Sequence, residues 1–291
     1  MTVALLTSGS AIPPRGAPFV RPKPPVSARL LAILLAIALG ITCFFFAFPI
    51  LWLILTSFRP PSGVFYVHRG LDFTFDNFIE VINDPAVRRP LVNSAILSTV
   101  ATICSLAVTI SSGYALSRFK GPLISTWFGA IYLFRCIPYI SWVMPLFILE
   151  RMLSLNDTQI GLLLPHIAVH VCFFSWIMKG VFDGIDPSME YAAMIDGCTR
   201  WGAFLRIALP SAAPSIWALA ILCWLYTWNE FLFALLLTGV RTPVLTAYIA
   251  QFVTEVGTQW NLMVATAVLA LIPAVLVTVF CQKYVVKGLH I

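Results

Sequence analysis

The sequence predicts an all-α membrane protein with six membrane-spanning helices and a charged helical loop between the fourth and the fifth. Three observations carry that prediction. Of the 291 residues 60% are apolar and 10% are charged, where a soluble domain has about 25% charged residues. Six apolar segments, near residues 30–55, 91–116, 123–149, 159–178, 215–238 and 261–282, each approach the ~20 residues needed to cross ~30 Å of hydrocarbon at about 1.5 Å per residue. Between the fourth and fifth, Asp183, Asp186, Glu190, Asp196, Arg200 and Arg206 crowd into 24 positions. At roughly 3 kcal/mol per charge at the bilayer centre, that stretch lies outside the lipid.

The same composition narrows the function. The net charge of +6 is dispersed, and no basic stripe interleaved with aromatics marks a nucleic-acid surface. Of the seven cysteines, six fall in apolar segments and Cys198 in the charged loop, so no disulfide framework is implied. No C-x-x-C and no metal-type cluster is present, and no catalytic residue and no metal ligand is expected in this chain.

Taken in order, residues 1–28 hold six prolines with Arg15, Arg21 and Lys23, and predict a disordered, basic, proline-rich tail. The first apolar run, Leu30–Leu55, is too long for a cleavable signal and reads as a span. The segment 56–90 is the largest outer piece. The fourth span carries Pro165, His166 and His170. With the N-terminus inside, eleven Lys and Arg lie on inner segments and six on outer ones. That bias puts both termini and the charged loop in the cytoplasm.

Within the loop, Asp186 is placed to cap a helix whose first position suits Pro187. Gly197 is placed to end it in a left-handed turn. Thr199 starts a second short helix, which Pro210 is expected to stop. Tyr191, Met194 and Ile195 share a face of the first helix, and Trp201, Phe204, Leu205 and Ala208 of the second. Two short amphipathic helices joined by a bend result; an interfacial loop resting on headgroups is the alternative.

Glu190-Tyr191-Ala192-Ala193-Met194-Ile195-Asp196-Gly197-Cys198, followed by Phe204, Leu209-Pro210 and Pro214, resembles the EAA loop of ABC-importer permeases. Trp228-Asn229-Glu230-Phe231 and the Thr74-x-x-Asn77-Phe78 stretch resemble the MalG-like, sugar-importer branch. Tyr191 stands where a second Glu is common, and Cys198 where Ala is usual. The resemblance implies the type I ABC importer permease fold over residues 29–291, with a coupling helix in the loop 183–214. It implies a second homologous permease, two ATPase subunits and an extracytoplasmic substrate-binding protein as partners, in the bacterial inner membrane. No Walker A pattern occurs in this chain, so ATP and Mg²⁺ belong to the ATPase partners and this chain carries no cofactor. By resemblance, Glu190, Ala193, Asp196 and Gly197 form the ATPase-coupling element. Asp196 equally suits a local cap before Thr199–Trp201.

Candidates for the translocation path are Arg135, Trp228, Asn229 and Glu230. Arg135 lies about 18 Å and Glu230 about 22 Å from the inner ends of their spans at 1.5 Å per residue. That places them at similar heights, able to pair. Such charges line a path, form a structural ion pair or snorkel to the interface. His166 and His170 are one turn apart but lack the intervening Glu of a zinc helix, and read as a buried or pore-facing polar pair. The outer stretch Thr242–Trp260, with Gln251, Glu255 and Gln259, is where a docking binding protein would be felt. The function expected is import of a sugar or related polyol. A non-sugar importer, a secondary transporter and a membrane-embedded enzyme are the alternatives.

Overall fold

The computed structural model describes residues 26–60, 73–138, 140–254 and 257–288. Most of the proline-rich tail, the middle of the 56–90 segment and Glu255 lie outside the described residues. The chain divides into two units, Met1–Leu51 and Trp52–Ile291. The first contains most of α1 (Val26–Ser57), which has no charged residue after Arg29.

The second unit is built on α3 (Pro85–Arg118), α6 (Gln159–Asp183), α9 (Leu209–Asn229) and α12 (Trp260–Gly288). Helix α3 packs along α6 and α9, and α12 packs against α9. The sequence of α3 dictates this. Ser94, Ser98, Ala101, Ser105, Thr109 and Gly113 recur every three or four residues and are all buried. In an apolar solvent, small residues let helices approach closely, and dispersion then holds them. At Gly113 a Cβ would sit 2.5 Å from the Met178 Cβ, so only glycine permits this crossing of α3 and α6. The hydroxyls are partly satisfied locally, as in Thr102 Oγ1 donating to Ser98 O at 2.7 Å. A buried cluster of Tyr114, Phe174, Met178, Phe182, Phe204 and Leu219 closes the bundle at the end bearing the charged loop.

Five helices are long and apolar enough to cross a membrane, and six spans are reached when a bent pair is counted as one. That pair is the predicted span 123–149, which the structure resolves into α4 (Pro122–Cys136) and α5 (Ile140–Met152), 103° apart. The break falls where Pro138 pushes Ile137 out of the helical region, to φ −72° and ψ 128°. The predicted span 215–238 is corrected at both ends. Helical structure runs unbroken over Arg200–Asn229, through α8 (Arg200–Ala203), a π turn (Phe204–Ala208) and α9. Pro210 therefore does not stop the second loop helix. The wide turn lies just ahead of it, with Leu209 N–H bonded to Phe204 O, and a wide turn is how a helix accommodates a residue that lacks an N–H. At the far end the helix breaks at Glu230, and α10 (Leu232–Leu237) follows.

The remaining elements fasten ends. Asn77, in α2 (Asp76–Asn83), is 3% exposed; its amide donates to Ser57 O and Arg59 O and its oxygen accepts from Asn261. The Thr242–Trp260 stretch contains α11 (Leu245–Ala250) and a two-stranded hairpin, β1 (Val253–Thr254) with β2 (Gly257–Thr258).

Candidate functional site

The charged loop follows α6 directly. Asp186 Oδ1 accepts the Ser188 N–H at 2.9 Å, and this bond holds the Asp186 carboxyl below its ordinary pKa. Helix α7 (Ser188–Ile195) follows, Gly197 turns at φ +94°, and Thr199 caps α8 by accepting the Gly202 N–H at 3.0 Å. A left-handed φ is open to glycine at no steric cost, so the bend expected at Gly197 is where the structure makes it.

The four residues of the expected coupling element occupy three different environments. Glu190 is 5% exposed and points inward. Its carboxylate accepts the Tyr114 O–H at 2.6 Å and the Arg118 Nε–H at 2.8 Å. Arg118 spends its other donors on Ser117 Oγ, Phe182 O and Ile185 O, at 2.9–3.0 Å. One guanidinium thus joins the end of α3, a last-turn carbonyl of α6, the carbonyl of Ile185 just beyond it and the loop helix α7. Ala193 is half-buried. Asp196 and Gly197 are exposed, and among the described residues no hydrogen bond to the Asp196 side chain forms the local cap. Around them Tyr191, Ile195, Trp201 and Leu205 are 44–86% exposed, with the Arg200 guanidinium resting over Phe119. The loop is fixed from within by a buried charge pair and presents an apolar face outward.

The four path candidates separate. Trp228 is 5% exposed, donates its indole N–H to Ala270 O at 3.1 Å, and stacks on Trp224. Asn229 is exposed and bonds back to Leu225 O. Glu230 is 9% exposed and caps α10, accepting the Phe233 and Ala234 N–H groups at 2.9 and 3.1 Å. His166 Nε2 lies 3.8 Å from its carboxylate. Arg135 does not pair with Glu230. Its guanidinium instead lies over the rings of Phe173 and Trp176, at 4.4 and 5.1 Å. Arg135 borders a cavity of about 350 Å³ at the break between α4 and α5, closed across by α6 and Tyr226 of α9. His166 and His170 are the buried polar pair expected of them; His170 contacts Ser105 Oγ at 3.1 Å and Thr227 Oγ1 at 3.4 Å.

Two anchors were not foreseen. Tyr114 and Arg118 are four apart on α3, a spacing that puts both on one face at the helix end, but nothing marks Glu190 as their partner. Asp157, at φ 55°, reaches 82–85 residues along the chain. It accepts the N–H groups of Gly239, Arg241 and Thr242 and the Thr242 hydroxyl at 2.8–3.0 Å. Burial pushes its pKa up, but these four bonds outweigh burial and hold the carboxyl below its ordinary value.

The solved structure of a bacterial ABC transporter that imports the acidic polysaccharide alginate superposes with a TM-score of 0.76, covering 91% of this chain and 99% of that one at 23% identity. The chain belongs to the family of binding-protein-dependent transport system inner membrane components, whose model matches residues 105–291. It is 32% identical to the trehalose/maltose transport system permease protein MalG of Thermococcus litoralis, over 91% of this chain and 96% of the relative. It is 31% identical to the arabinooligosaccharides transport system permease protein AraQ of Halalkalibacterium halodurans, over 91% and 97%.

Proposed function

We propose that this chain is one of two permease subunits of an ATP-driven, binding-protein-dependent importer for a sugar or related polyol. Permeases named for trehalose/maltose and for arabinooligosaccharides, each 31–32% identical over about nine tenths of the chain, support the sugar class. The Lys and Arg distribution supports cytoplasmic termini and a cytoplasmic loop. The loop 183–214 meets an ATPase subunit, which binds and hydrolyses ATP with Mg²⁺. Ala193, Asp196 and Gly197 lie at the contact, and Glu190 holds the loop in place from behind.

The observation that carries this reading is the contrast within α7: Glu190 is locked inward by Tyr114 and Arg118, while Ile195 is 86% exposed beside Asp196. A surface helix so fixed transmits displacement as a rigid body. The test is a crosslinker at Ile195 in the purified assembly. A crosslink to an ATP-hydrolysing subunit that changes with nucleotide state is expected. An assembly that contains the ATPase yet gives no crosslink in any nucleotide state would overturn the role of the loop.

A further inference from the structure

We infer that the cavity at the α4–α5 break binds the transported sugar through an anionic group on it, with Arg135 as the anion-binding residue. This rests on the sugar-importer reading and adds a substrate class to it: saccharides carrying a carboxylate, sulfonate or phosphate.

The argument begins with what Arg135 lacks. It is the fourteenth residue of α4, roughly 20 Å along the helix from Pro122 at 1.5 Å per residue. A guanidinium at such a depth is retained only where it faces protein, an aqueous path or a counter-charge. Among the described residues no carboxylate lies within 4.0 Å of it and none of its N–H groups has a hydrogen-bond acceptor. What it has is two aromatic faces, Phe173 and Trp176. Ring faces attract the cation without supplying hydrogen-bond acceptors. The side chain is exposed, so its N–H donors, without an acceptor among the described residues, are open to a ligand. An edge of parallel N–H donors matches the paired oxygens of a carboxylate, sulfonate or phosphate.

The rest of the cavity suits a sugar ring. Phe134, Trp142, Phe173 and Tyr226 contribute aromatic side chains to its wall, and Phe134 and Trp142 brace each other edge to face at 5.5 Å between centroids. Flat apolar faces pack against the C–H faces of pyranose rings, and a volume of about 350 Å³ is within the range of small-molecule sites. The break at Pro138 makes the space. A continuous helix over 122–152 would close off the bend from which Arg135 and Trp142 both reach the cavity.

Two thiols report on it without knowledge of the natural substrate, because Cys136 and Cys172 both line the cavity. In the assembled importer in nanodiscs, labelling at each is read by mass spectrometry of its peptide. An anionic methanethiosulfonate is expected to modify Cys136 faster than its cationic analogue. Millimolar glucuronate or glucose 6-phosphate is expected to slow that labelling, and glucose is not. Arg135→Gln is expected to abolish the charge preference and weaken anion protection by about tenfold, as loss of a charge-assisted bidentate contact does. Arg135→Lys retains the charge preference but part of the protection only.

Protection by glucose as strong as by the anions, or by none of them, would overturn the anionic class. ATP-dependent uptake of a neutral sugar in the same preparation would then leave the importer reading standing. Failure of both cysteines to react in every nucleotide state would show the cavity covered by a partner chain, and would overturn the site itself. Absence of ATP-dependent uptake for sugars of any charge would instead remove the reading on which the inference rests.

Discussion

The molecule fastens its two ends by opposite means. At the loop end, Glu190 is held by side chains, Tyr114 and Arg118, both from α3. At the other, Asp157 is held mainly by main-chain N–H groups of residues 239–242. Both carboxylates accept strong hydrogen bonds, but the partners differ in kind. The Glu190 anchor sits between two charges with little exposure, 12% for the Arg118 side chain and 6% for that of Glu190. Neither ion can lose the other without leaving a charge stranded. The Asp157 anchor depends on backbone shape, so a change to the side chain of Arg241 leaves its N–H donor in place. On the proposed coupling role, the end that passes on force is built on a charge pair, and the end that closes a loop is built on main-chain donors.

The comparison is broken most severely at Glu190. Glu190→Ala strands Arg118 beneath α7 and is expected to cost about 3 kcal/mol. The expected readout is the largest fall in Tm of any single change named here, followed in detergent, together with loss of nucleotide-dependent crosslinking from Ile195. A Tm unchanged within error would mean that Arg118 is satisfied by the Phe182 and Ile185 carbonyls alone.

Asp157→Ala removes one acceptor from four donors near the surface and is expected to cost about 2 kcal/mol, with crosslinking at the loop end retained. This anchor also has a pH signature. The folded carboxyl titrates below its unfolded value, so its contribution is fully present above the unfolded pKa of about 3.9 and is lost as pH falls through the lower folded value. Asp157→Asn should therefore flatten the decline of Tm at the acid end and leave the slope above pH 6 unchanged. The smallest effect is expected at Thr199→Ala, which removes the cap of α8 for about 1 kcal/mol. Because Arg200–Asn229 is continuous, that loss should appear as faster amide exchange at Gly202 and its neighbours, with little change in Tm.

What could be read in the sequence follows the range of the forces involved. The spans were legible because burial in lipid is imposed residue by residue. Caps and turns at Asp186, Gly197 and Thr199 were legible because their partners lie two or three positions away. The break at Pro138 was available in principle, since the restriction on Ile137 is local, but the apolar run on both sides hid it. Pro210 misled for the converse reason: a π turn absorbed a residue that would end an α-helix. The Arg118–Glu190 and Asp157–Gly239 contacts were not legible at all, because 72 and 82 residues separate the partners and only the packing of α3 on α6, in the first case, and of α10 on α5 and α6, in the second, brings them together. The supposed match of Arg135 with Glu230 shows the same limit. Equal height along two helices says nothing about the direction in which each side chain leaves its helix.

The uninterrupted run from Arg200 to Asn229 has a mechanical meaning. Thirty residues make a rod about 45 Å long at 1.5 Å per residue, with Trp201 exposed beside Phe204 near one tip and the Trp224–Trp228 stack near the other. A lever of that length turns a tilt of a few degrees at the loop into a displacement of several ångströms at its far tip. Beyond Asn229 the helix ends. At Glu230 the backbone is extended, and α10 is held by two hydrogen bonds to that carboxylate and by the burial of Phe233, Ala234 and Leu237, so on the proposed coupling role a tilt of the rod would bear on that buried corner.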